Sequence, residues 1–176
     1  INFHTKNSGV LTVIKDDDKG TLWMNFPSDP TTSILESKEQ EATLNMVIDG
    51  LGLKSKDDVL ALHKGKFDIL VEVSQETFLN IHPKMDVLIN VQARGVVVTC
   101  VVGGGSSKSG DSNDGNVHFR SRWFGPQSGV PEDPVTGSAH CMLACYWGDK
   151  LNKLSMVGQQ CSSRGGIVGI ELNENK

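Results

Sequence analysis

The sequence predicts an α+β domain in which a mixed, mainly antiparallel sheet encloses one central helix over about residues 138–150. Three observations carry that expectation. From Ala139 to Trp147 only His140 is strongly polar, and Tyr146 and Trp147 add no more than polar tips. A helix apolar nearly all round cannot lie on a surface and must be enclosed. Strand-like segments recur on both sides of it, among them the β-branched run 96–102 and the alternating run 117–124. Strands and helices also alternate without the glycine fingerprint of nucleotide-binding βαβ units. Gly103-Gly104-Gly105 is followed by Ser and Asp, not by the Gly-Lys-Ser/Thr that cradles a phosphate.

In chain order, strands are expected at 2–5 and 10–14 around the turn Lys6-Asn7-Ser8-Gly9, and the acidic turn 16–20 leads to a third at 21–26. Residues 27–33 read as a loop. Ser37 and Gln40 have the spacing of a capping box. Leu44, Val47, Ile48 and Leu51 then recur at i, i+3, i+4 and i+7, an amphipathic helix closed by Gly50 and Gly52. Strands 58–63 and 67–73 flank the hairpin-like Lys64-Gly65-Lys66. Ser74 caps a short helix, 75–81, that Pro83 stops, and 86–91 forms a second short helix or turn. Arg94-Gly95 opens the strand 96–102, residues 103–116 read as a mobile polar loop, and the strand 117–124 delivers the chain to the central helix. Two final strands, 155–162 and 166–172, are joined by Ser163-Arg164-Gly165.

The stretch from Pro131 to Gly148, PEDPVTGSAHCMLACYWG, carries the candidate chemistry. Asp133 precedes a proline, which biases it away from helical backbone, so the helix begins after it. Thr136 and Ser138 have hydroxyls able to cap a first turn whose amides lack intrahelical partners. An enclosed helix start is a positively polarised, amide-lined pocket, here with Asp133, Thr136, Gly137 and Ser138 beside it. Two alternatives stand at this point: plain capping, or an anion pocket with a carboxylate on its rim. His140, one residue inside the helix, faces either the core or the cleft. Arg164 and Arg122 can contact a carboxylate, or serve as surface and strand-edge charges. Cys141 and Cys145 share a helix face at i, i+4, yet no further ligand spacing accompanies them, so core packing is expected there and no metal.

With 176 residues and 19.0 kDa the chain can bury a sizeable core. The net charge of −4 comes with scattered Lys and Arg, which argues against nucleic acid and against an anionic membrane surface. No apolar run approaches membrane-spanning length. The start at Ile1, without methionine or a signal-like segment, reads as a processed or excised end. Cys100, Cys141, Cys145 and Cys161 lie in apolar surroundings without paired spacing, which favours reduced thiols and a cytoplasmic location.

The run EDPVTGSAHC at 132–141, preceded by Arg122-Trp123-Phe124 and followed by Leu143, Tyr146 and Trp147, closely resembles the signature of the phenazine-biosynthesis PhzF-like family. Phe3-x-Thr5-x-x-Ser8-Gly9-x-Leu11-x-Val13 and then Asn25-Phe26-Pro27 are similar to the family's passage from a first domain to a second. The resemblance implies a diaminopimelate epimerase-like fold: two similar domains, each a curved sheet wrapped round a central helix, with the active site between them. Residues 1–15 are then linker and strand from the end of a first domain, and 16–176 a second domain without its last strand. The first domain, which in the family carries the proton-moving glutamate and a Cys-Gly-His motif, has no counterpart here. Residues 103–116 are longer than the family's equivalent.

By the same resemblance, Asp133 matches the family's second-domain acidic residue and Ser138 its active-site serine. These two are the catalytic candidates, with Thr136, Gly137, His140 and Arg164 as candidates for binding substrate. The implied activity is isomerisation by proton transfer on a small carboxylic acid, with no cofactor, and absent from this chain without the first domain. The implied partners are the carboxylate substrate, the first domain on the same or a separate chain, and a second copy in a homodimer. Two alternatives remain. One is a non-catalytic protein-interaction member of the same fold. The other is a cysteine-type amino-acid epimerase or racemase, which needs a thiolate at the helix start. This chain has Asp133-Pro134 and Thr136-Gly137 there, and Cys141 lies a turn too deep in an apolar setting that would keep it protonated.

Overall fold

The computed structural model describes residues 1–6, 9–18, 20–102 and 117–173. The expected polar loop 103–116, and the turn residues Asn7 and Ser8, lie outside the described residues. Strands β1 (Asn2–Thr5), β2 (Gly9–Asp16) and β3 (Thr21–Met24) form an antiparallel meander, so the expected boundary at 15/16 falls inside β2. Phe3, Val10, Ile14, Leu22 and Met24 are exposed on it.

Among the described residues the larger sheet has eight strands: β4 (Thr32–Ser33), β5 (Val59–Lys64), β6 (Asp68–Val73), β7 (Gly95–Val101), β8 (Phe119–Gly125), β9 (Val130–Glu132), β10 (Ser155–Gln160) and β11 (Gly166–Glu171). Its order is β11-β10-β8-β7-β6-β5-β4, with β9 on β8. The pairs β6–β7 and β8–β10 are parallel and the others antiparallel. Parallel neighbours need a crossover. The first crossover runs through α2 (Gln75–Leu79) and α3 (Met85–Leu88), the second through β9 and α4 (Gly137–Leu151).

The two crossovers cover opposite faces, which is why β6 is buried throughout, and β7 from Gly95 to Cys100. One face carries Ile69, Val71, Val96 and Val98 against Phe78, Leu88 and α1 (Glu41–Leu51). The other presents Leu70, Val97, Phe119, Trp123, Met156 and Ile170 to Met142, Leu143, Tyr146 and Trp147 of α4, with Ala61 of β5 at the edge. One helix thus meets six adjacent strands. At about 4.8 Å per strand they span roughly 24 Å, about twice a helix diameter, so the sheet must curl round the helix. The sequence expectation of an enclosed helix is met: Leu143 and Trp147 are 0% exposed, and the Trp147 indole donates to Thr99 Oγ1 at 3.0 Å.

Local differences have local causes. The expected 27–33 loop ends in strand β4, because Ile34 donates to Leu62 O and zips it to β5. The capping box at Ser37 does not form: the Ser37 side chain makes no cap bond, and a 3₁₀ turn, Lys38–Gln40, comes first. A capping box closes at Ser55 and Asp58 instead. The α1 helix runs through Gly50, where a Cβ would stand 2.6 Å from Leu88, and stops at Gly52 with φ of 69°. Among the described residues no helix is long and apolar enough to cross a membrane.

Candidate functional site

The chain reaches α4 through a turn anchored from three strands. Asp133 N donates to Trp123 O of β8 at 3.2 Å. Ser162, beyond β10, donates its hydroxyl to Pro134 O at 2.8 Å. Gly166 at the start of β11 lies so close to Val135 that an added Cβ would stand 2.4 Å from Val135 Cγ2. Gln160, 1% exposed at the end of β10, closes the arrangement. Its Oε1 accepts from Thr136 N at 2.8 Å, and its Nε2 donates to Asp133 O at 2.7 Å and to Thr136 Oγ1 at 3.2 Å.

Thr136 therefore does not cap the helix with its hydroxyl, as capping alone would require; no side-chain cap bond is made there. Its hydroxyl donates to Asp133 Oδ2 at 2.6 Å. That bond fixes the half-buried carboxylate and leaves Oδ1 without a partner among the described residues. The Gly137 and Ser138 amides, at the open end of the helix, have no intrahelical acceptor. Both residues are exposed, and a Cβ on Gly137 would meet nothing within 4 Å. The Ser138 Oγ accepts from Arg94 Nη1 at 3.0 Å.

The other candidates divide. Of the two orientations left open for His140, the structure shows the core one: the side chain is 4% exposed beside the Phe119 ring. Its Nδ1 lies 2.8 Å from Thr136 O, so Nδ1 carries the proton. Burial lowers its pKa, opposed by that backbone bond, and its Nε2 is buried with no partner among the described residues. Arg122 is engaged in a fork with Glu132 at 2.7 and 3.1 Å and is not free for a ligand. Arg164 is exposed on the β10–β11 turn, the same turn that packs on residues 133–135 through Ser162 and Gly166. Burial, and then the Asp29 charge, push the Cys141 thiol pKa up, which opposes the thiolate a cysteine epimerase needs. Burial likewise raises Cys145, and pushes Cys100 up to about 12.

Sequence reasoning missed Gln160, Arg94 and Asp68. Nothing local marks them. Gln160 is 24 residues from Thr136 and Arg94 is 44 from Ser138, so only the strand order brings them to the helix start.

Comparison with known proteins shows the family. The phenazine biosynthesis-like protein family (PhzC-PhzF) matches residues 2–176. An uncharacterized isomerase of Halalkalibacterium halodurans is 37% identical over 177 residues, covering 100% of this chain and 58% of the relative. One from Pseudomonas aeruginosa is 39% identical over 166 residues, covering 94% of this chain and 54% of the relative. The chain thus spans somewhat more than half the length of these relatives. Among solved structures, a phenazine biosynthesis protein of the PhzF family from Enterococcus faecalis superposes with a TM-score of 0.73 at 31% identity, covering 99% of this chain and 58% of that one. Family match, relatives and fold agree: the chain belongs to the PhzC-PhzF family of phenazine biosynthesis-like proteins.

Proposed function

We propose that this chain supplies one half of the site of a cofactor-independent isomerase that moves a proton on a small carboxylic acid. The observation that carries the proposal is the division of labour at the start of α4. Asp133 is held by the Thr136 hydroxyl and not by the helix amides, so carboxylate and amides remain available to one ligand together. The amides of Gly137 and Ser138 suit a ligand carboxylate or a developing enolate. A fixed Asp133 can relay a proton or hold a substrate amine. Arg164, exposed on the adjoining turn, is assigned the ligand's outer end. His140 acts from behind, through the Thr136 carbonyl. The proton-moving partner of Asp133 is assigned to the part of the relatives' length that this chain does not match, so the chain alone is expected to lack turnover.

The test uses the protein joined to the remainder of the relatives' length. A panel of unsaturated small carboxylic acids is incubated in D₂O, and deuterium incorporation at carbon is read by mass spectrometry. Asp133→Asn is expected to abolish incorporation while leaving carboxylate affinity within about threefold, since it removes the charge and keeps the shape. Incorporation that survives Asp133→Asn overturns the proposal. Carboxylate binding without exchange, on any member of the panel, favours the interaction-protein alternative.

A further inference from the structure

Arg94 stands outside every motif above, yet the fold immobilises it beside Ser138. Its backbone N donates to Phe67 O at 2.7 Å, and its carbonyl accepts from the Ser128 hydroxyl at 2.9 Å. Its guanidinium lies over the Phe67 ring at 5.3 Å and the Trp123 ring at 5.7 Å. It is forked onto Asp68, through Nε to Oδ1 at 2.9 Å and through Nη2 to Oδ2. The Asp68 side chain is 1% exposed, so the pair is fixed from the buried side, while Arg94 itself is 33% exposed. The remaining nitrogen, Nη1, donates to Ser138 Oγ.

Hydrogen-bond direction gives this arrangement its consequence. A guanidinium only donates. Ser138 Oγ must therefore be the acceptor towards Arg94, which turns the hydroxyl proton away from Arg94. Among the described residues that proton has no acceptor. A serine in a first helical turn can otherwise spend its hydroxyl on local backbone. Building on the carboxylate reading of the helix start, we propose that Arg94 is a positioning residue: anchored by buried Asp68, it holds Ser138 as an acceptor so that its O–H is presented to the ligand's carboxylate. Arg94 then acts through Ser138, and each depends on the other.

The dependence is measured by a double-mutant cycle on the same joined protein, with benzoate as the probe and ¹H–¹⁵N amide shifts of Gly137 and Ser138 as the readout. Arg94→Lys keeps a cation for Asp68 and loses the planar fork that also reaches Ser138. Ser138→Ala is expected to weaken benzoate binding by ~3–10-fold, the range of one net hydrogen bond. Arg94→Lys is expected to weaken it to a similar degree when Ser138 is present, and to change it little in the Ser138→Ala background. Equal weakening by Arg94→Lys in both backgrounds, or none in either, overturns the positioning role and leaves the carboxylate reading standing. No saturable shift in the wild-type protein overturns that reading and the inference with it. Should Arg94→Lys fail to fold, Arg94→Gln combined with Asp68→Asn removes both charges together and enters the cycle in its place, with the same outcomes deciding.

Discussion

Replacing Gln160 by methionine tests what holds the turn before α4. Methionine keeps the volume and removes the amide. Three contacts go: those with Thr136 N at 2.8 Å, Asp133 O at 2.7 Å and Thr136 Oγ1 at 3.2 Å. The Thr136 hydroxyl still has Asp133. The Thr136 N–H and Asp133 C=O are left unpaired in a place where Gln160 is only 1% exposed. Each unpaired buried group costs about 1–3 kcal/mol, partly offset because the Gln160 amide no longer needs burying, for a net loss of roughly 3 kcal/mol. For a domain of this size that lowers Tm by roughly 6–12 °C. Thermal melts followed by circular dichroism measure it, and benzoate titration should show weaker binding as well, because Gln160 holds Thr136, the residue directly before the Gly137 and Ser138 amides. A Tm within about 2 °C of wild type, well below that range, would refute the account of Gln160 as the clasp.

Two further outcomes are expected. Burial holds the His140 pKa below its ordinary 6.5. As pH falls below about 6.5 the unfolded chain takes up that proton first, so the stability from neutral His140 is complete above this pH and lost progressively below it. His63 is shifted the same way by burial, so His140→Gln should reduce the acid slope of urea midpoints without abolishing it. An unchanged slope would mean that His140 titrates normally. At Gly125 a Cβ would stand 2.0 Å from Trp123 Cη2, so Gly125→Ala is expected to cost about 1–3 kcal/mol by urea unfolding; an unchanged midpoint would show that the indole yields freely.

The enclosed helix, most strands and the α1 face were legible in the sequence because their signals are local. Apolar circumference, period-two alternation and i, i+3, i+4 spacing all lie within about a dozen residues. Asp133, Thr136, Gly137 and Ser138 could be named as candidates for the same reason, being near neighbours at one helix start. What each side chain does there was not. Thr136 and Ser138 read as caps because hydroxyls before a helix usually cap. Their partners turned out to be Asp133 for Thr136 and Arg94 for Ser138. His140 could be written on either face until Phe119 and the Thr136 carbonyl took its ring. Gln160, Arg94 and Asp68 carry no local mark, since the parallel β6–β7 and β8–β10 pairings that bring them to the helix start follow long crossovers. Short-range pattern determines which elements form; which polar groups meet at α4 is decided by strand order, because only the assembled sheet brings residues so far apart in the chain within hydrogen-bond distance.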